Sequence, residues 1–236
     1  MINENEPLPE DIFAKLPGSA AVMSHAVFVD SDRWKRALTA RGLPPAEGKL
    51  GNAKRISVTR KEVFDLGDQA PTVANAFQLF FYSLAWGLGT RAPRLHQRLD
   101  GLSAEQEKAG KLLVTAWTLV RNGAPTGEAY GTLTTNRGAG RIPWFGPAFS
   151  TKFLYFAQGS TAHPRHVILD QVVSNNLRQD AWPQAPKAGW WPETYERYSG
   201  LLGRWAGQAG ERLEGTRLVR ADEIELTLFR RHRSNG

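Results

Sequence analysis

The chain has 236 residues, enough for one large domain or two small ones with a substantial core. It has no Cys, which excludes disulfides, zinc–thiolate sites, cysteine nucleophiles and cysteine-ligated iron–sulfur clusters, and suits a reducing compartment. Thirty Lys and Arg against twenty-three Asp and Glu give a net charge of +7, which fits a polyanionic partner without identifying one.

Residues 1–11 are acidic and lack the basic head and apolar core of a signal peptide, so the expected location is cytoplasmic. Residues 1–20 read as a loose lead-in, the first part of an N-terminal lead-in and mixed segment over 1–70. A short helix is predicted over 32–40, ended by Gly42 and the pair Pro44 and Pro45. Residues 55–60 alternate weakly as a strand would, while 60–66 fit a helical turn equally well, and periodicity leaves the stretch open.

Residues 71–236 form the helical region. Thr72 is placed to cap a helix to about Trp86, apolar on nearly every face and therefore central. Asn75, Gln78 and Ser83 interrupt that run, which falls short of the ~20 apolar residues a membrane span needs, so no membrane partner is expected. Ser103 with Gln106 forms a capping-box pattern, after which Ala109, Leu112, Leu113, Ala116, Trp117 and Val120 recur at helical spacing until Asn122 and Gly123. Thr126 is placed to cap a shorter helix to about Thr135, followed by a Gly-rich turn over 136–141. A tight hairpin and an apolar helix come next, with Gly146 at the bend, Pro147 in the first turn and Gly159 after the last. Asp170 occupies a natural N-cap position, and 193–209 and 221–229 supply two amphipathic helices. The expected class is mainly α, with no hairpin strand pair.

Lys152 is the only Lys, Arg, Asp or Glu between Arg141 and Arg165. Ala148, Phe149, Phe153 and Phe156 lie three or four positions away, so its amine emerges beside the apolar stripe. From such an edge a helical lysine ordinarily snorkels to water; among Phe side chains, desolvation instead favours the neutral, nucleophilic amine. Asp170 is, on the residues alone, a helix cap. His163 and His166 lie three apart near it but lack a third matched ligand, and neither a metal nor any other cofactor is expected. The start of the apolar helix at Gly146, flanked by Arg137 and Arg141, can hold a phosphate or serve as a plain turn. Trp86, beside Gly87 and Gly89, and Trp144 in the hairpin are either core or surfaces on which a base stacks.

Helix, Gly-containing hairpin, Lys-bearing helix and then an Asp opening the next helix is an order that resembles the helix–hairpin–helix DNA glycosylases. The wording is closer still to bacterial proteins with an 8-oxoguanine DNA glycosylase-like fold. Phe145-Gly-Pro-Ala-Phe-Ser-Thr-Lys-Phe-Leu-Tyr-Phe156, Ile168-Leu-Asp170, Trp86-Gly-Leu-Gly89 and Asp222-Glu-Ile-Glu-Leu-Thr-Leu-Phe229 carry that likeness over 72–229. The sequence departs from the superfamily pattern in keeping one hairpin Gly and placing Lys152 six residues beyond it, about one extra helical turn.

The resemblance implies a helix–hairpin–helix glycosylase-like helical fold and a monomer that excises an oxidised purine, first 8-oxoguanine, from double-stranded DNA. Asp170 would stabilise positive charge on the sugar as the base leaves. Lys152 would attack the anomeric carbon and form a Schiff base that permits strand cleavage. Arg137, Arg141 and Gly146 would contact DNA, and Trp86 or Trp144 would stack on the extruded base or fill its gap. The competing readings are a non-catalytic DNA-binding or damage-sensing module, and a glycosylase for an alkylated or otherwise modified base.

Overall fold

A computed structural model describes residues 1–52 and 54–231. Two short helices open the chain, α1 (Glu10–Phe13) and α2 (Ser19–Met23), followed by β1 (Ala26–Asp30), α3 (Ser31–Thr39), α4 (Gly48–Gly51), β2 (Arg55–Thr59) and α5 (Arg60–Gly67). Then come α6 (Val73–Leu88), α7 (Leu95–Ala104), α8 (Gln106–Arg121), α9 (Thr126–Leu133), α10 (Pro147–Ala157), α11 (Gln171–Asn176), α12 (Pro192–Arg212) and α13 (Ala221–Arg231). The molecule is mainly helical, as its periodicity predicts.

Helix α6 is the centre. The Thr72 hydroxyl accepts from the Asn75 N–H at 3.3 Å, and every residue from Ala76 to Trp86 is buried. Each Phe side chain buried here contributes about 1.5–3 kcal/mol, and Phe80→Ala is expected to cost about 3–5 kcal/mol because it leaves a void between α6 and Phe145. Two polar residues of α6 fasten a neighbouring loop. Gln78 donates to Pro45 O and accepts from Glu47 N, both at 2.9 Å, and the Tyr82 hydroxyl donates to Glu47 O and accepts from Leu50 N. Together they seal the loop before α4 onto the core.

No hairpin strand pair is expected, and the two strands that do pair are joined through helices rather than as a hairpin. Strands β1 and β2 pair antiparallel, with Ala26 opposite Thr59 and Asp30 opposite Arg55. Two helices intervene between them, so the short-turn signals that mark a hairpin are absent. Both readings of 55–66 hold in succession: β2 ends at Thr59, which forms a capping box with Glu62 to start α5.

Two caps also differ from expectation. Ser103 lies inside α7 and donates to Asp100 O at 3.1 Å, while α8 opens at Gln106 behind Glu105, which makes no side-chain cap. A separate helix over Leu95–Ala104 runs into the predicted cap and displaces it. Thr126 is the first residue of α9 rather than its cap, because extended Pro125 takes that place.

The lead-in over 1–20 is fastened to the rest of the chain. Ile2, Leu8 and Ile12 are buried, Asn3 N donates to Ala181 O, Leu8 N donates to Gln208 Oε1, and Trp205 Nε1 on α12 donates to Glu6 O. Residues on both sides of position 70 contribute to one apolar core. Among the described residues no helix is long and apolar enough to cross a membrane.

Candidate active site

Helix α10 carries Lys152 into the interior. Gly146 is the N-cap and Pro147 the first helical residue, and all side chains from Ser150 to Ala157 are buried. Lys152 is 6 % exposed, so its amine does not snorkel to water. Instead Nζ donates to Ala148 O at 3.4 Å and to Asp170 Oδ2 at 3.3 Å, and lies 5.7 Å from the centre of the Phe149 ring. Gly87 on α6 makes room for it: a Cβ there would stand 2.9 Å from both Lys152 Cδ and Phe149 Cε1.

Asp170 is fixed by the three residues before it. The Tyr195 hydroxyl donates to Val167 O at 3.1 Å and the Tyr198 hydroxyl to Ile168 O at 2.7 Å. The Thr151 hydroxyl donates to Leu169 O at 3.0 Å and accepts from Leu169 N at 3.2 Å. Helices α10 and α12 therefore grip the segment residue by residue. The two carboxylate oxygens of Asp170 then divide their work: Oδ1 accepts from Val172 N and Val173 N to cap α11, while Oδ2 faces Lys152. Capping and a role in the site are not alternatives here.

The amine and carboxylate open on a cavity of about 240 Å³ that is also lined by Arg60, Trp86, Gly87, Ile168, Glu225 and Phe229. Beneath it lies a charged network. Arg60 Nη1 donates to Glu225 Oε2 at 2.8 Å and to the Tyr155 hydroxyl at 3.0 Å; that hydroxyl donates to Asp222 Oδ2 at 2.8 Å, and Arg220 closes the chain on Asp222. Burial pushes the Glu225 carboxyl above its ordinary value, with Arg60 pulling it down and Asp170 adding a smaller upward push. Burial works against the Arg60 charge, but Glu225 and its neighbours overcome it and raise the guanidinium above its usual value. Arg60, Gly87 and Glu225 escape sequence reasoning. The signal for Glu225 was a run of acids in a buried helix, the same anomaly that singles out Lys152.

Trp86 sits in this cavity, edge-on to His25 at 5.4 Å and Phe156 at 5.5 Å between ring centres, with the Arg60 guanidinium 5.0 Å over it. Trp144 is elsewhere: it lies outside, 52 % exposed, at a positive φ of 61°. Its carbonyl accepts from Arg98 Nη1, and the Arg94 guanidinium lies 5.9 Å from its ring centre. Arg98 stacks 4.1 Å over Phe149, which also faces Lys152, and so connects the outer aromatic to the site. Burial lowers the pKa of Arg98, and repulsion from Arg94 lowers it further.

Gly146 is open: a Cβ would meet nothing within 4 Å, and its φ of −77° does not demand glycine. Arg137 is exposed on the turn before it. Arg141 is exposed too, but its Nε donates inward to Gly131 O and Thr134 O. His163 and His166 differ in setting. His166 is buried with Nδ1 3.4 Å from the Tyr195 hydroxyl, whereas His163 is exposed.

The family model described as "Putative 8-oxoguanine DNA glycosylase OGG-like protein" matches residues 20–229. No curated protein and no solved structure matches the chain.

Proposed function

We propose, from the premise that the chain belongs to the OGG-like 8-oxoguanine DNA glycosylase family, that it removes an oxidised purine, first 8-oxoguanine, from duplex DNA. The observation that carries this reading is a buried lysine amine 3.3 Å from a carboxylate at a cavity wall. A purely structural role explains neither the cost of burying the amine nor the opening beside it.

The cavity receives the base after its nucleotide leaves the stack. The Lys152 amine, having given its proton to solvent, attacks the anomeric carbon through Nζ while Asp170 stays ionised beside it. The bond between that carbon and the base nitrogen breaks, and its electron pair leaves with the base. Positive charge on the sugar in the transition state faces the Asp170 carboxylate. The ring oxygen then leaves the same carbon, taking up a proton that Nζ gives up, and the resulting Schiff base loses a C2′ proton and the 3′ phosphate, which nicks the strand.

The proposed DNA contacts are Trp144 with its neighbours Arg94 and Arg98, together with Gly146, Arg137 and Arg141. Exposed Trp144 is the candidate for the gap left by the extruded base, because Trp86 is enclosed in the cavity wall. The open backbone at Gly146 supports close approach of a phosphate to the start of α10.

A panel of labelled duplexes, each with one lesion, tests the function, with and without hot alkali after incubation. The expected result is release of 8-oxoguanine with strand cleavage before alkali. Base release that needs alkali to reveal it would remove the lyase step, and no release from any oxidised-purine duplex would overturn the reading.

A further inference from the structure

Two donors of the cavity lining are buried without an acceptor among the described residues: Trp86 Nε1 and Arg60 Nε. Nearly all buried N–H groups in proteins are paired, and these two belong to residues that line the cavity, where a bound molecule can bring an acceptor to them. Glu225 shares that wall. Arg60 engages its Oε2, yet a carboxylate accepts at about four lone-pair positions and keeps capacity for further donors. The wall therefore offers donors beside an acceptor, both held rigidly by the network through Tyr155 and Asp222.

We infer that Arg60 and Glu225 determine base specificity in this cavity, reading the edge of a guanine-type base: the ring carbonyl faces Arg60, and the adjacent ring N–H and 2-amino group face Glu225. The inference rests on the glycosylase reading and assigns the recognition step that reading leaves open. An adenine-type edge reverses the pattern. Its amino group would meet the Arg60 donor and its ring nitrogen lone pair the Glu225 carboxylate, so both contacts become repulsive. Lys152 and Asp170 remain committed to the sugar.

Editing the substrate tests this on the unaltered protein. Duplexes carrying 8-oxoguanine, 8-oxohypoxanthine, which lacks the 2-amino group, or 8-oxoadenine are compared in single turnover opposite the same base. The expected rates fall about tenfold without the 2-amino group and about a hundredfold or more for 8-oxoadenine. Equal rates on all three would overturn the inference while leaving the glycosylase intact.

Absence of excision from all three would overturn the glycosylase reading instead. Equilibrium dialysis with the free bases then decides the pocket separately: tighter binding of 8-oxoguanine than of 8-oxoadenine supports the assignment, and no preference overturns it. Glu225→Gln, checked for folding by circular dichroism, is expected to bring the ratio of the two rates towards one. A folded variant that keeps the wild-type ratio would remove Glu225 from recognition.

Discussion

Lys152 Nζ and Asp170 Oδ2 stand 3.3 Å apart, while the other Asp170 oxygen caps α11 through two backbone N–H groups. This division makes Asp170→Asn an informative change. Asparagine caps helices about as well as aspartate, so the variant keeps α11 and loses only the charge facing the amine. Base excision is expected to fall about 10²–10³-fold in single turnover, the scale for removing one preorganised stabiliser of a transition state. Duplex affinity should stay within a few fold. Excision at the wild-type rate would reduce Asp170 to a cap.

Lys152→Gln separates nucleophile from accessory. If Nζ forms the Schiff base, hydride reduction during turnover traps a covalent protein–DNA adduct in the wild type and none in the variant. An adduct that persists in Lys152→Gln would move the nucleophile to another amine. Base release with no adduct in either protein would assign the chemistry to Asp170 and an activated water.

Gly87→Ala probes position without touching either polar group. Its Cβ would fall 2.9 Å from both Lys152 Cδ and Phe149 Cε1, so the lysine and the ring beside it must both shift. The expected outcome is a loss of excision rate of about tenfold or more, with a modest fall in melting temperature and little change in duplex binding. A wild-type rate would show that the site tolerates displacement of the amine.

Much of this site was legible because its signals are local. Asp170 follows an apolar run and precedes another, and Lys152 interrupts an apolar helix; both anomalies lie within a few turns of chain. Arg60 and Glu225 are 165 positions apart, and nothing near Arg60 at the start of α5 shows that its guanidinium turns inward. The β1–β2 pair escaped for the same reason, since its partners are joined by helices rather than by a turn. The positive φ of Trp144 was also hidden, as was the close approach beside it, where a Cβ on Gly101 of α7 would stand 2.3 Å from Pro143 O. Such a contact has no signature at the hairpin itself.

The net charge of +7 and the exposed arginines predict steep salt dependence of duplex binding. Arg94→Ala and Arg137→Ala should each reduce the magnitude of the log–log slope by about 0.9, as one lost phosphate contact does. Arg141→Ala should reduce it by a similar amount and also lower the melting temperature, because its Nε ties Gly131 O and Thr134 O. Unchanged slopes in all three would move the DNA face elsewhere on the molecule.

Acid should loosen the segment that holds Asp170, through His166. Burial, with a smaller contribution from Arg165, pulls the His166 imidazole down to about 3, so it is neutral in the folded protein well below the pH at which an exposed histidine protonates, about 6.5. Between those limits the unfolded chain binds one more proton at this position than the folded chain does. The stabilisation is fully present above about pH 6.5 and is lost as pH falls towards 3, by about 1.4 kcal/mol for each pH unit once the unfolded histidine is charged. Urea unfolding at pH 7, 6, 5 and 4 checks this by comparison with His166→Gln, which cannot titrate there; the wild-type curve should fall more steeply with acid by up to one proton. Parallel curves would show that His166 is not held neutral. A histidine that does charge when folded would face the Tyr195 hydroxyl, which anchors Val167 O, and excision should then decline together with stability as the grip on Asp170 relaxes.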